Sequence, residues 1–283
     1  MFLDTNAFDT IADMNPIEAY IAQFTGKTIA VAVHNLATGK SIHINADEGF
    51  HPASTMKVPV MMEVFRLAHA GQLSLQDKLE IINSFTSIAD GSKYSLDVVD
   101  DSETSLYARI GDSESVQELT RLMIVRSSNL ATNILIETVG AKQTNAFLQE
   151  LGIQGVTVIR GIEDNVAFRL GMNNNATARG LTHMMTLIAE GKVVSKAASD
   201  KMIQIMLGQE FNESIPALLP KSAKVAHKTG WTGEFYHDTG IVFPENRQPY
   251  AISILTRGFP EDKEKEAHTC MSTFSKMIYD HIV

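Results

Sequence analysis

The apolar residues of this chain follow a strand period near both ends and a helical period in between. The segment TIAVAVHNL, residues 28–36, is apolar at consecutive positions, which is typical of a strand covered on both faces. Residues 41–45 form the returning strand, and three further strands, VAHKT, HDTGIVF and YAISILTR, follow Val225 as a meander. The pattern therefore predicts five strands, contributed by both ends of the chain.

The middle of the chain, from Gly71 to Gly208, has helical spacing interrupted by polar loops. Ser115 and Glu118 form a capping box ahead of the helix VQELTRLMIV, and Thr177 and Ser195 precede two later helices as their caps. The long segment VTVIRGIEDNVAFRLGMNNNA has no helical period, so we expect an ordered loop there.

Helices are also predicted at both ends of the chain. Pro16 suits the first turn of a helix that reaches about Phe24, and the C-terminal segment places apolar residues three and four positions apart. We therefore predict an α/β plus all-α fold, in which N- and C-terminal helices flank a five-stranded antiparallel sheet and an all-helical domain is inserted. The predicted boundaries are an acidic leader over 1–15 and one domain over 16–283. Within that domain, 16–70 and 210–283 form the α/β part and 71–209 the helical part.

Composition and charge narrow the classes of function. The chain has 283 residues and a net charge of −9, which argues against nucleic acid or an anionic membrane surface as partner. The single cysteine, Cys270, excludes an internal disulfide, and no apolar run is long enough for a membrane span. The first residues lack the basic and apolar regions of a signal peptide. We therefore expect either that a leader has been removed or that the protein stays in the cytoplasm.

The most informative stretch for chemistry is HPASTMKVPV, residues 51–60. Pro59 is tolerated only in the first turn of a helix, so the helix begins close to Thr55 and Ser54 lies at its N-terminal tip. Lys57 follows one turn later on the same face, where burial could deprotonate its amine and make it a base for the serine hydroxyl. The alternative is an ordinary surface Ser/Lys pair, since the S-x-x-K spacing is common in helices.

Two later stretches favour the catalytic interpretation. Ser127-Ser128-Asn129 interrupts an apolar helical run seventy residues after Lys57, and Lys228-Thr229-Gly230 ends a strand ninety-nine residues after Asn129. The order S-x-x-K, S-x-N, K-T-G is the motif set of class A β-lactamases and penicillin-binding proteins. From about residue 16 onward, the chain resembles this superfamily of serine hydrolases and is most similar to class A.

The resemblance implies a role for each motif residue. Ser54 would be the nucleophile and Lys57 the base for acylation, while Ser127 would pass the proton to the leaving nitrogen. Asn129 would orient Lys57 and bind a substrate amide. Lys228 would hold local charge and attract a substrate carboxylate. The alternatives are helix capping for Ser127 and Asn129, and a solvated strand end for Lys228.

The end of the third motif would complete the site. The Thr229 hydroxyl would bind the substrate carboxylate, and Gly230 would let the substrate lie close to an edge strand. The backbone N–H groups of Ser54 and Trp231 would hold the oxyanion. No metal or organic cofactor is expected.

The chain departs from the family pattern at two places. Ser128 stands where class A has aspartate. In the loop that carries the deacylating glutamate of class A, the acid Glu163 is displaced by one residue and position 167 is alanine instead of asparagine. Glu163 could still reach the site if the loop is remodelled. The alternative is that Glu163 or Asp164 pairs with Arg160 or Arg169 and staples the loop.

A histidine offers a second candidate for activating water. His237 lies on the strand that follows the K-T-G strand, so its ring faces either the cleft or the outer surface. His227 directly precedes Lys228 and therefore points to the opposite face, which removes it from consideration.

The sequence thus predicts a monomeric serine hydrolase that acts by acyl transfer on a small molecule with a carboxylate, either a β-lactam or an acyl-peptide. The first hypothesis is β-lactam hydrolysis at a slow rate. The second is a penicillin-binding peptidase of the D-Ala-D-Ala type or an esterase, and the third is a penicillin-binding sensor domain that is acylated once and stays blocked. Members of the resembled family usually act in the periplasm or after secretion.

Overall fold

The computed structural model of the protein describes residues 3–4, 16–17 and 19–282. Most of the predicted acidic leader, residues 5–15, lies outside the described residues. The strands are β1 Leu3–Asp4, β2 Thr28–Asn35, β3 Ser41–Ile44, β4 Lys78–Glu80, β5 Phe85–Thr86, β6 Lys93–Tyr94, β7 Ser113–Ser115, β8 Val156–Thr157, β9 Asn175–Ala176, β10 Lys224–Thr232, β11 Phe235–Phe243 and β12 Tyr250–Arg257.

The main sheet has the strand order β1-β3-β2-β12-β11-β10, and all neighbouring strands are antiparallel. Its five long strands are the five that the alternation of apolar residues predicts, so the predicted sheet is confirmed. The sixth strand is the two-residue β1, which pairs Leu3 with Ile44 and Asp4 with His43. At the opposite side, β10 is the outer strand among the described residues, and it carries the Lys228-Thr229-Gly230 motif.

Four helices begin directly after a serine or threonine that caps them with its side chain. Ser115, Ser128, Thr177 and Ser195 each accept a hydrogen bond from a backbone N–H in the first turn of the helix that follows. The bounds are α1 Lys57–His69, α2 Val116–Val125, α3 Asn129–Val139, α4 Ala141–Glu150, α5 Asn165–Arg169, α6 Ala178–Ala189, α7 Lys196–Met206 and α8 Glu264–Ile282.

Two apolar cores lie on opposite faces of the main sheet. The smaller core contains Ile17 and the apolar face of α8, including Phe274, packed on alternate residues of the strands. The larger core contains α1, α2, α3 and α4, while α6 lies directly on β2 and β12. Residues 16–17 and 19–21 are helical, so terminal helices lie on one face of the sheet and the helical insertion on the other, in agreement with the prediction.

Short α5 lies in the segment for which the sequence predicts an ordered loop without a helix. The five residues from Asn165 to Arg169 are too few to produce a helical period, and the Asp164 side chain caps them. In the described parts of the chain, no helix combines the length and the hydrophobicity that crossing a bilayer requires.

Candidate active site

Ser54 lies in a single 3₁₀ turn, Ala53–Met56, which continues directly into α1. Pro59 is the third residue of α1, so the helix begins where this proline predicts. Ala53, the buried residue before Ser54, has a φ of 45°, a left-handed conformation that costs a non-glycine residue about 1–2 kcal/mol. The backbone thus holds the half-buried Ser54 in a sharp turn at the tip of the helix.

The outer strand β10 passes close to this turn at Gly230. A Cβ atom at position 230 would lie 3.0 Å from the backbone nitrogen of Ser54 and 3.1 Å from that of Thr55. Only glycine therefore lets the edge strand approach the helix tip so closely. Trp231 follows at the edge with 55% of its surface exposed, and the Thr229 side chain is half-buried.

Lys57 is fully buried and its amine is surrounded by oxygen atoms of the second motif. Its Nζ donates to the Ser127 backbone carbonyl at 2.6 Å and to Asn129 Oδ1 at 2.8 Å, and lies 3.2 Å from Ser127 Oγ. These contacts bring the first and second motifs together as the sequence predicts, although 70 residues separate Lys57 from Ser127.

Ser127 Oγ lies between two lysines. Lys228 is also fully buried, and its Nζ donates to Ser127 Oγ at 3.0 Å and to the Thr229 carbonyl at 2.9 Å. Three motifs from α1, the start of α3 and β10 are therefore connected through one hydroxyl group. This excludes the alternative of a solvated strand end for Lys228.

Burial changes the protonation of both lysines. Removal from water lowers the pKa of Lys57 to about 7, although the negative charge of Asp101 acts in the opposite direction. The pKa of Lys228 lies well below its usual range because the residue is buried and because Lys57 is nearby, with the charge of Asp238 opposing both effects. Near neutral pH, Lys57 can therefore exist as a neutral amine able to accept a proton.

Two residues of the site were missed by the sequence analysis. Asp101, 6% exposed, accepts hydrogen bonds at Oδ2 from the backbone N–H groups of Asn129 and Leu130, each at 2.9 Å. Asn133 lies one turn after Asn129 on α3, so its spacing of four residues could have indicated a shared face. No comparable local signal identifies Asp101, because its partners are distant in the sequence.

Asn133 determines the position of the loop that carries Glu163. Its side chain receives the N–H of Ile162 at 2.7 Å and donates to the Ile162 carbonyl at 3.0 Å. The residue bound to α3 is thus Ile162. It lies two positions after Arg160, and this is the position that the glutamate occupies in the class A pattern. Glu163 follows with a φ of 60°.

Only one oxygen of the Glu163 carboxylate has a hydrogen-bond partner among the described residues. Oε2 accepts a hydrogen bond from the Asp97 N–H at 3.2 Å, while Oε1 is buried without a hydrogen-bond partner among the described residues. Burial raises the pKa of Glu163, and the charges of Asp97, Asp100 and Asp101 act in the same direction, against the hydrogen bond from Asp97. No hydrogen bond joins this carboxylate directly to Lys57 or Ser127 in the described structure.

The predicted ion pairs within the loop are absent from the described residues. Asp164 instead accepts hydrogen bonds from Ser87 Oγ at 2.7 Å and from the Ile88 N–H at 2.9 Å. The buried Arg160 guanidinium donates mainly to neutral oxygen atoms, including the carbonyl groups of Met172 and Gly161. Asp164 and Arg160 therefore hold the loop through hydrogen bonds to neutral groups, and the alternative of a staple between an acid and an arginine is not what these residues form.

His237 is enclosed and cannot reach water in the cleft. It is 1% exposed, its Nε2 donates to the His51 carbonyl at 2.8 Å, and its Nδ1 lies 2.7 Å from the Tyr236 carbonyl oxygen and 3.2 Å from the Thr256 nitrogen. Burial lowers the pKa of His237 to about 4, so the ring is neutral. Its function in this position is to tie β11 to the segment that leads into Ser54.

His227 points to the opposite face of β10, as expected. Its ring is fully buried, with Nδ1 2.9 Å from Asp238 Oδ1 and Nε2 3.3 Å from Asn212 Oδ1. His227 therefore packs beneath the sheet and takes no direct part in the cleft.

Comparison with known proteins agrees with this geometry. The sequence model of the β-lactamase enzyme family matches residues 14–282. Among curated proteins, β-lactamase BRO-1 of Moraxella catarrhalis is 23% identical over 240 residues, which are 82% of this chain and 73% of that protein. The extended-spectrum β-lactamase PER-1 of Pseudomonas aeruginosa is 22% identical over 277 residues, 92% of this chain and 86% of that protein.

Solved structures give the same result for the fold. PBP-A has a TM-score of 0.82 at 25% identity and covers 95% of both chains. The TLA-1 extended-spectrum β-lactamase has a TM-score of 0.81 at 19% identity and covers 96% of this chain and 98% of its own. The family model spans nearly the whole chain, and the matched region includes the three motifs that meet around Ser127. The chain therefore belongs to the β-lactamase enzyme family.

Proposed function

We propose that the protein hydrolyses β-lactams through an acyl-enzyme on Ser54. The observation that carries this proposal is the buried chain of contacts Lys57–Ser127–Lys228 beside the helix tip that presents Ser54. A serine hydroxyl is a weak nucleophile until a base removes its proton, and a buried amine with a pKa of about 7 is suited to this task.

Acylation in this scheme uses only side chains and backbone groups of the chain. Ser54 Oγ attacks the lactam carbonyl carbon as neutral Lys57 accepts its proton. The N–H groups of Ser54 and Trp231 stabilise the resulting oxyanion. When the C–N bond breaks, Ser127 gives its hydroxyl proton to the leaving nitrogen and regains one from the Lys57 ammonium. Lys228 stabilises the negative charge that develops on Ser127 Oγ.

Deacylation requires water and a second base. We assign that base to Glu163, because its Oε1 is buried and has no hydrogen-bond partner among the described residues. Burial raises its pKa, which makes the carboxylate a better proton acceptor. Glu163 would take a proton from water as the water attacks the ester carbonyl, and the proton would return to Ser54 Oγ when the ester C–O bond breaks. Because Asn133 binds Ile162 and not Glu163, we expect this step to be slow.

The substrate we propose is a small molecule with a carboxylate, bound by a monomeric enzyme. Lys228 and Thr229 offer an amine and a hydroxyl group as hydrogen-bond donors in a chain whose net charge is −9, so the site would favour a carboxylate, which accepts from both. PBP-A, which this chain resembles in fold, has been captured as a mutant in an acyl-enzyme complex with penicillin G. That chemistry is the first half of the reaction proposed here.

A peptidase or esterase is the second candidate. The observation that favours it concerns Ile162, whose backbone is bound to Asn133 on α3. In the class A pattern this position carries the deacylating carboxylate, and here it carries an apolar side chain. In such an enzyme the acylation step is retained, and the acyl-enzyme formed from a lactam persists.

Glu163→Gln separates the two candidates. In a lactam hydrolase this variant forms the penicillin adduct at the wild-type rate and then retains it, because removing a general base slows the step by about 10²–10⁴-fold. Asp100→Asn is the matched control, since Asp100 is an acidic neighbour of Glu163 in the 97–101 loop. The control should release the adduct like the wild type. If Glu163→Gln also does so, the assignment of Glu163 is wrong.

A further inference from the structure

Helix α3 begins at Asn129, and each N–H of its first turn has a partner. Ala131 N–H donates to Ser128 Oγ at 3.1 Å and Thr132 N–H to the Ser128 carbonyl at 3.2 Å. A serine cap satisfies only part of a helix N-terminus. The first two N–H groups, of Asn129 and Leu130, are left to find an acceptor elsewhere in the fold.

Asp101 supplies that acceptor from a segment 28 residues earlier. Its Oδ2 accepts from both N–H groups at 2.9 Å, and the Tyr107 hydroxyl donates to the same oxygen at 3.0 Å. The other oxygen, Oδ1, accepts from the Glu103 N–H at 3.0 Å. A carboxylate that is nearly inaccessible to solvent and has four donors is fixed in position, and the N-terminus of a helix stabilises its negative charge.

The same segment also orients the side chain that holds Lys57. Asn129 Nδ2 donates to the Asp100 carbonyl at 3.1 Å, which leaves Asn129 Oδ1 free to accept from Lys57 Nζ at 2.8 Å. Ser127, just before the helix, has a φ of 56°, so its backbone is strained and needs support from its surroundings. Asp100 and Asp101 bind Asn129 and Leu130, the second and third residues after this strained position.

We propose that Asp101 is a positioning residue for Lys57 and replaces the carboxylate that class A enzymes carry in the middle of the Ser-Asp-Asn motif. In this chain that motif position is Ser128, which caps the helix but brings no charge. The negative charge at the start of α3 comes instead from the 97–101 loop. The inference rests on the proposed function in so far as Lys57 is the acylation base.

The electrostatic consequence has a definite sign. The charged groups around Lys57 are Lys228, on the other side of Ser127, and Asp101, whose charge opposes the effect of burial on the pKa of Lys57. Glu163 and Tyr107 are the titratable neighbours of Asp101 from other segments. Removing the charge of Asp101 therefore favours the neutral amine and moves the titration of Lys57 to lower pH.

The test measures the titration of Lys57 directly in the full-length protein. Lysine labelled with ¹³C at the ε carbon is followed by NMR against pH, and the Lys57 signal is assigned by its loss in Lys57→Arg. In Asp101→Asn we expect this signal to titrate at lower pH than in the wild type. We also expect penicillin acylation to slow by roughly tenfold to a hundredfold at the pH optimum, because the motif is displaced.

Two further variants make the result specific. Glu103→Gln removes another buried carboxylate of the same segment, one paired with Arg126, and should leave the Lys57 titration unchanged. Adding Ser128→Asp to Asp101→Asn returns a carboxylate to the start of α3. This double variant should restore the rate of acylation to within a few-fold of wild type and return the pKa of Lys57 toward its wild-type value.

Two outcomes would overturn the inference: a Lys57 titration that is the same in Asp101→Asn and wild type, or a double variant no faster than Asp101→Asn. Failure of the proposed function has a different signature. A wild-type protein that penicillin does not acylate, but whose Lys57 titration still moves in Asp101→Asn, would reject β-lactam hydrolysis and support the role of Asp101.

Discussion

Replacing the buried amine of Lys57 should remove a pH-dependent part of the protein's stability. Burial lowers the pKa of Lys57 from 10.5 to about 7, so between these values the unfolded chain binds more protons than the folded one. Stability then rises with pH as the folded state loses its proton near pH 7. From these two pKa values, the contribution of Lys57 to the free energy of unfolding grows by about 2 kcal/mol between pH 7 and pH 9.

The experiment compares urea unfolding at pH 7 and pH 9, followed by circular dichroism, with Lys57→Met as the perturbation. Both proteins carry Lys228→Met, because Lys228 titrates under the influence of Lys57 and would otherwise contribute its own pH dependence. We expect the protein that retains Lys57 to gain about 2 kcal/mol more over this interval than the protein with the Lys57→Met substitution. Equal gains in the two proteins would refute the reasoning, since Lys57 would then not be a buried amine with a lowered pKa.

Three further predictions concern the reaction itself. Quenched-flow mass spectrometry should show that the rate of acylation by penicillin rises with pH around a midpoint near 7. Lys57→Arg should lower this rate by ~100-fold or more and remove its dependence on pH, because arginine cannot act as the base. Esterifying the substrate carboxylate should raise the acylation barrier by roughly 1.5–3 kcal/mol through lost contacts with Lys228 and Thr229, whereas equal rates for acid and ester would indicate an esterase. His237→Ala should leave the rate of adduct hydrolysis within a few-fold of wild type. It should lower the free energy of unfolding by roughly 2–4 kcal/mol, since the ring packs in the interior. A persistent adduct in this variant would identify His237 as the base.

The sequence was most informative where local rules determine the backbone. Pro59 restricts where α1 can begin, and Ser115, Thr177 and Ser195 cap the helices that follow them. The strands could be found because consecutive or alternating apolar residues are a local property of a covered sheet. The three motifs could be placed in one site because their order and separation resemble those of a family with a known arrangement.

The remaining features depend on contacts between distant segments or on unusual backbone conformations. The position of Glu163 follows from the clamp on Ile162 and from a left-handed φ, which no propensity scale predicts for glutamate. Asp101 carries no motif and matters only because the fold brings it to the start of α3. The direction of the His237 ring was open because strand alternation alone does not identify which face meets the segment before Ser54.

The central claim is that Ser54 forms an acyl-enzyme that the protein then hydrolyses, and intact-protein mass spectrometry over time with penicillin G tests it most directly. The account predicts a covalent adduct of the mass of penicillin, assigned by peptide mapping to Ser54, which appears quickly and then decays to free protein and hydrolysed drug. Ser54→Ala, which removes only the hydroxyl oxygen at the helix tip, should give no adduct. A wild-type protein that never gains the mass, or a Ser54→Ala variant that still does, would contradict the account.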